Sequence, residues 1–340
     1  MEDNSVSLDW ECVRASLESF SEAAFTSTRR SYTFRMVSQA QAVPVANSMA
    51  DWFGSGKHGV PSGHSNGAIR ASIYNQSLYA QQINGFVHVS RLACYEHAKG
   101  AISSIDEGSA IVSLSLLRGL IERASLAETV RSKLSGPWRE KAKERGFHEV
   151  FYETSIAELI GKSLYGTRMD WQKLAGSDFT TAKARELSYE PKEKFMDVSA
   201  NQILNHVDKL GKRVPGSRVA YDVLCEFLHP NVGDLFATTK HAASRTDAWG
   251  TRHLTREISL GRHEFSGAKD LVDCLSKALD IVRSITDQLP KILSDLDAFS
   301  NEVSALNRKS MHRVRKRQAH LFNRNDLCPC LSGLTVNNCK

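Results

Sequence analysis

Apolar residues recur at helical spacing through most of this chain. Residues 5–24 alternate apolar and polar positions loosely, as a short amphipathic helix does. Residues 25–72 then turn polar and rich in Ser and Gly, with no sustained period, which predicts a long irregular connection. From about 73 to 134 the pattern is helical. Leu114, Leu117, Ile121 and Ala124 follow one another at spacings of three and four, the interval that keeps side chains on one helix face. Ile111, Val112, Leu116, Leu120 and Leu126 occupy the other sides, and a helix apolar nearly all round belongs at the centre of its domain. Residues 137–196 are mixed, with helical potential at 150–164. Two more helices are expected at 197–210 and 215–228, with Pro215 near the start of the second, where its missing N–H costs little. His229-Pro230 closes that helix, because proline disfavours the α conformation in the residue before it. A short hairpin is expected around Trp249 to Leu260.

The longest periodic stretch comes next. Leu271, Leu275, Ala278, Val282, Ile285, Leu289, Ile292, Leu296, Phe299, Val303 and Leu306 form a heptad-like seam, about 50 Å long at the usual helical rise. Pro290 is expected to kink or divide it. The seam can pair within the helical body of the same chain, or join two copies as a homodimer over 271–306. The fold class is therefore mainly α: a helical bundle body with a long C-terminal helix. The pattern divides into an N-terminal helix and irregular polar segment (1–72), a helical body (73–306), a basic linker or helix (307–324) and a C-terminal segment (325–340).

Composition narrows the setting. No apolar run approaches the ~20 residues that cross a bilayer, and the best, Ala110 to Ile121, carries Arg118. The N-terminus lacks the basic and apolar regions of a secretory signal, so a cytoplasmic location is expected, with no membrane partner. Of 44 Lys and Arg residues, seven (Arg308, Lys309, Arg313, Arg315, Lys316, Arg317 and Arg324) crowd one acid-free segment, and the other 37 face 38 acids. The net charge of +6 is thus concentrated near the C-terminus. That run suits an anionic partner, RNA or the ribosome, with His312, His320 and Phe322 able to add stacking. A solvated helix end is the plainer reading, since cations favour a helix C-terminus.

Seven cysteines are present, at 12, 94, 225, 274, 328, 330 and 339. The first four are isolated, but the last three lie in NDLCPCLSGLTVNNCK with the spacing Cys-x-Cys-x8-Cys. Pro329 and Ser332-Gly333 supply turn chemistry between Cys328, Cys330 and Cys339, and three soft thiolates in a reduced compartment suit tetrahedral Zn²⁺. Arg324, Asn325, Asp326, Cys328, Pro329, Cys330, Ser332, Gly333 and Cys339 stand in register with the SEC-C motif, which this segment resembles. That family is a small zinc module at the C-terminus of the preprotein-translocase motor ATPase and of many otherwise unrelated bacterial proteins. The resemblance implies a closed structural zinc site that contacts a chaperone or the ribosome. It covers about 17 residues of the 340. Where the family has its fourth ligand, this chain has Lys340. That leaves the position to the terminal carboxylate, water, His312 or His320, or to nothing. The family's lysines between the ligands are here Leu334, Thr335, Asn337 and Asn338.

Two polar groups interrupt apolar helices. Arg118 and Glu122 lie four apart, and Glu226 and His229 three apart. Buried charges require partners, so Arg118, Glu122 and His229, joined by Tyr221, form either an internal network or a site. Such helices loosely resemble the HEPN-like proteins of bacterial defence and toxin systems, several of which cut RNA and carry Arg followed by His after four to six residues. Arg91/His97 fits that spacing on a helix, but so do Arg256/His263, Arg313/His320 and Arg315/His320, so the spacing alone carries little weight. Nucleophile elbows, phosphate-cradling Gly loops and dinucleotide fingerprints are absent. The expectation is a binding or adaptor protein rather than an enzyme, with a basic helix and a zinc-knuckle tail. The alternatives are a HEPN-like ribonuclease and a protein that docks a chaperone through its knuckle.

Overall fold

The computed structural model describes residues 8–27, 66–145, 170–178, 202–229, 239–258, 269–317, 324–325 and 334–338. The chain is mainly helical, as its periodicity predicts: α1 (Trp10–Ser27), α2 (Asn66–Asp106), α3 (Ala110–Arg145), α4 (Trp171–Ala175), α5 (Ile203–Leu210), α6 (Ser217–Leu228), a β1–β2 hairpin (Thr239–Thr246, Arg252–Ile258) and α7 (Lys269–Arg317). No helix among the described residues is long and apolar enough to cross a membrane. Of the stretch expected to be irregular at 25–72, residues 25–27 and 66–72 are helical instead, as the ends of α1 and α2; residues 28–65, the helix expected at 150–164 and the cysteines Cys328, Cys330 and Cys339 lie outside the described residues.

The chain forms two compact units. The first comprises residues 1–28, 89–129 and 202–294, and the second residues 29–88, 130–201 and 295–340. In the first unit, α1 buries Trp10, Val13, Leu17, Phe20 and Ala24, a stripe at spacings of three and four. Asp9 starts this helix, its Oδ1 accepting the Cys12 N–H at 3.1 Å as an N-cap does. In the same unit, residues 89–106 of α2 and 110–129 of α3 pack as an antiparallel hairpin. Its two halves touch at Ser104 and Ser113, whose hydroxyls bond at 2.9 Å, at Gly100 against Leu116, and at Gly119 against the His97 ring.

The break between α2 and α3 is not visible in the periodicity, which runs through it. At Gly108 the backbone is left-handed, φ 73°. Its N–H bonds to Ile105 O at 3.0 Å, and the Ser109 N–H bonds to Ser104 O at 2.8 Å. These paired bonds end a helix on a glycine without orphaning its last carbonyls. Beyond it α3 buries residues on most sides, from Ala110 to Trp138, as expected for a central helix, with Val112 exposed.

Gly216 is the N-cap of α6, with φ 88°, so Pro215 lies one residue further out than the helical start expected for it. The left-handed backbone favours glycine there, and a Cβ would also crowd Ile281 Cδ1 at 3.1 Å. His229 caps the other end in extended conformation, φ −98° and ψ 148°, as the following proline dictates. The hairpin lies earlier than expected: its turn spans Asp247–Thr251, and β1 precedes Trp249 altogether.

Helix α7 runs unbroken through Pro290, which does not divide it. The proline's missing N–H leaves the carbonyl of Thr286, a residue only 1% exposed, without that helical bond, and the helix continues regardless. From Leu275 to Val303 every seam residue is buried within the chain itself. The stripe from Leu275 to Val303 thus packs within the chain, as the internal pairing of the seam predicts, while Leu271 and Leu306 at its ends are half-buried. In the second unit, Phe299 of this seam meets Trp138 of α3 edge-on at 5.3 Å and 82°. Arg139–Glu302 at 2.9 Å and Arg131–Asp295 at 3.5 Å flank the contact.

Candidate functional site

The C-terminal basic run belongs to α7, which carries Arg308, Lys309, Arg313, Arg315, Lys316 and Arg317 before ending. Arg308 and Lys309 are exposed; the side chains of the other four lie outside the described residues. Arg324 is exposed, and its carbonyl accepts the Asn337 N–H at 3.0 Å. The Asn338 N–H turns back onto Thr335 O at 3.1 Å. The backbone thus bonds across from residue 324 to residue 337, while Cys328, Cys330 and Cys339 lie outside the described residues. Among the described residues no group of three or more His, Cys, Asp or Glu could hold a metal ion.

Arg118 and Glu122 meet as their four-residue spacing implies, Nη2 to Oε1 at 3.3 Å. Tyr221 of α6 completes the group: Arg118 Nη2 donates to its hydroxyl at 3.1 Å, and that hydroxyl donates to Glu122 Oε1 at 2.9 Å. The guanidinium also lies over the phenol ring, 5.2 Å from its centre. Burial draws the Arg118 pKa down, but the hydrogen bond to Tyr221 and the Glu122 carboxylate beside it leave it raised. Burial raises the Tyr221 hydroxyl and, one turn on, the Cys225 thiol. A cation, an anion and a bridging hydroxyl thus pair with one another, although Arg118 Nε is buried with no hydrogen-bond partner among the described residues, and the arrangement reads as a structural network.

His229 does not join it. The residue is exposed at the α6 C-cap, and its ring bonds to no described residue. A position three residues after Glu226 shares its face only while the helix lasts, and the extended backbone at His229 turns it away. Arg91 is buried at 4% exposure. His97 holds Ala93 O through Nδ1 at 2.7 Å, so that nitrogen carries the proton, and lays its Cδ2–Nε2 edge on Gly119. Both are packed residues of the helical hairpin.

A second polar group was not legible from the sequence. Glu128, 5% exposed, lies 3.7 Å from Arg213, whose Nε donates to Gln288 Oε1 at 3.3 Å. Beside Glu128, the Thr129 hydroxyl meets His206 Nδ1 at 3.0 Å in the core. Comparison with known proteins finds no matching family model, no similar curated protein and no similar solved structure.

Proposed function

We propose that the chain is a binding or adaptor protein whose cationic helix end and cysteine knuckle grip an anionic partner, RNA or an RNA-containing complex such as the ribosome. The observation that carries this reading is the Arg324–Asn337 hydrogen bond, which closes the cysteine segment directly after the basic run. Cys328, Cys330 and Cys339 would hold Zn²⁺ as a closed structural site, its chemistry confined to fixing the shape of the tail. A tail of defined shape at the end of a rigid helix can present its charges to phosphates in a set direction.

Two measurements test this. Elemental analysis of untagged protein should find about one zinc ion per chain, lost in a Cys328→Ser, Cys330→Ser variant. Binding to a labelled single-stranded RNA should fall with salt, with a logarithmic slope of up to about −5 if all seven cations meet phosphates. Exchanging Arg313, Arg315, Lys316 and Arg317 for Gln should make that slope shallower by about 3. Protein without zinc, or a slope indifferent to these four residues, would end the proposal.

A further inference from the structure

The β1–β2 hairpin is built for exposure. Asp247 organises its turn: Oδ1 accepts the backbone N–H of Trp249 and of Thr251, each at 2.9 Å, and Oδ2 meets His253 Nε2 at 3.0 Å. Gly250, φ 79°, supplies the left-handed residue that such a turn requires. The turn is therefore fixed by its own hydrogen bonds, and it holds Trp249 at 92% exposure. Nothing in the hairpin's folding needs an indole in that position.

The surroundings of Trp249 are cationic. The last two cross-strand pairs before the turn are Arg245 with His253 and Thr246 with Arg252. Strand partners share a face, so one arginine stands on each side of the ribbon. All three basic residues are exposed. Arg252 is braced by Ser244 Oγ at 2.9 Å, while no described residue bonds the Arg245 side chain. The one acid near the tip, Asp247, is already engaged in the turn.

An exposed aromatic ring flanked by exposed cations matches one partner chemistry well: a base to stack on, with phosphates on either side. A protein-docking patch would need a contiguous apolar surface around the tryptophan, and its turn neighbours Asp247, Ala248, Gly250 and Thr251 offer only one small apolar side chain. The geometry points to this hairpin as a single-stranded nucleic-acid contact, in which Trp249 stacks on an unpaired base while Arg245 and Arg252 hold the adjoining phosphates. This deepens the proposed function, resting on its anionic partner and naming that partner's class, but it stands on residues separate from the tail.

The test uses the full chain and a fluorescein-labelled single-stranded RNA of mixed sequence, followed by anisotropy, with the same sequence as a duplex in parallel. Trp249→Ala should weaken single-strand binding by roughly fivefold or more, and Trp249→Phe should keep most of it. Arg245→Gln should make the salt slope shallower by about 0.7. The duplex, whose bases are already stacked, should respond little to Trp249→Ala. Unchanged affinity in Trp249→Ala, with binding lost when the four tail cations are neutralised, would overturn the hairpin assignment and leave the tail reading standing. The converse pattern would support the hairpin and remove the tail. Equal losses on single strand and duplex, or a self-associating protein that Trp249→Ala renders monomeric, would overturn stacking as the role of Trp249.

Discussion

Replacing Gly119 by alanine should destabilise the first unit, although helix propensity alone predicts the opposite. In a helix interior, alanine is favoured over glycine by about 0.8–1 kcal/mol. Here, however, the added Cβ would lie 2.4 Å from His97 Cδ2 and 2.5 Å from Nε2. Normal carbon contacts begin at about 3.5 Å, so the ring must move by roughly 1 Å. The imidazole has two rotatable bonds and is tethered to Ala93 O, so it cannot withdraw without losing that bond. Overpacking costs about 1–3 kcal/mol and the hydrogen bond about 0.5–1.5. The net expectation is a loss of about 1–3 kcal/mol. In a His97→Ala background the clash is absent, and Gly119→Ala should then stabilise by up to about 1 kcal/mol. Urea denaturation of the four proteins of this cycle, followed by circular dichroism, should give a coupling of about 2 kcal/mol. If Gly119→Ala raises the midpoint equally in both backgrounds, the α2–α3 register derived from these contacts is wrong.

Thr129→Val should cost about 1–3 kcal/mol, read from the same denaturation curves, because it strips the hydroxyl that meets buried His206 Nδ1. Under native conditions iodoacetamide should label exposed Cys12 and Cys274 and spare Cys94. Burial pushes the Cys94 thiol up to about 12, and mass spectrometry of labelled peptides would show any departure. The Asp106 carboxyl is held below its ordinary value of 3.8 by its hydrogen bond to Arg14. Its contribution to stability is therefore present above that value and disappears as pH falls through the lower, folded one. Asp106→Asn should lose less stability than wild type on acidification from about pH 5 to 3, measured by thermal melting.

The helices were readable because burial is periodic: the α1 stripe and the α7 seam are both written in spacings of three and four, and both are buried. The α2–α3 break was not, because apolar spacing continues across it and only Gly108 marks the turn. Pro290 does not divide α7, because the periodic burial on both sides of it, from Leu275 to Val303, holds the helix together across the missing N–H. At the polar sites, Arg118 and Glu122 were legible because four residues is one helical turn. His229 was grouped with them on helical spacing that Pro230 cancels. The Thr129–His206 and Glu128–Arg213 contacts join residues far apart in the chain, and no local pattern encodes which helices meet.

The hydrogen bond between Arg324 and Asn337 has a thermodynamic corollary. Cinching a flexible ring of about a dozen residues costs roughly 2 kcal/mol in chain entropy. The backbone bond between residues 324 and 337 offsets part of that cost by itself, so the two ends of this stretch are tied without help from any side chain.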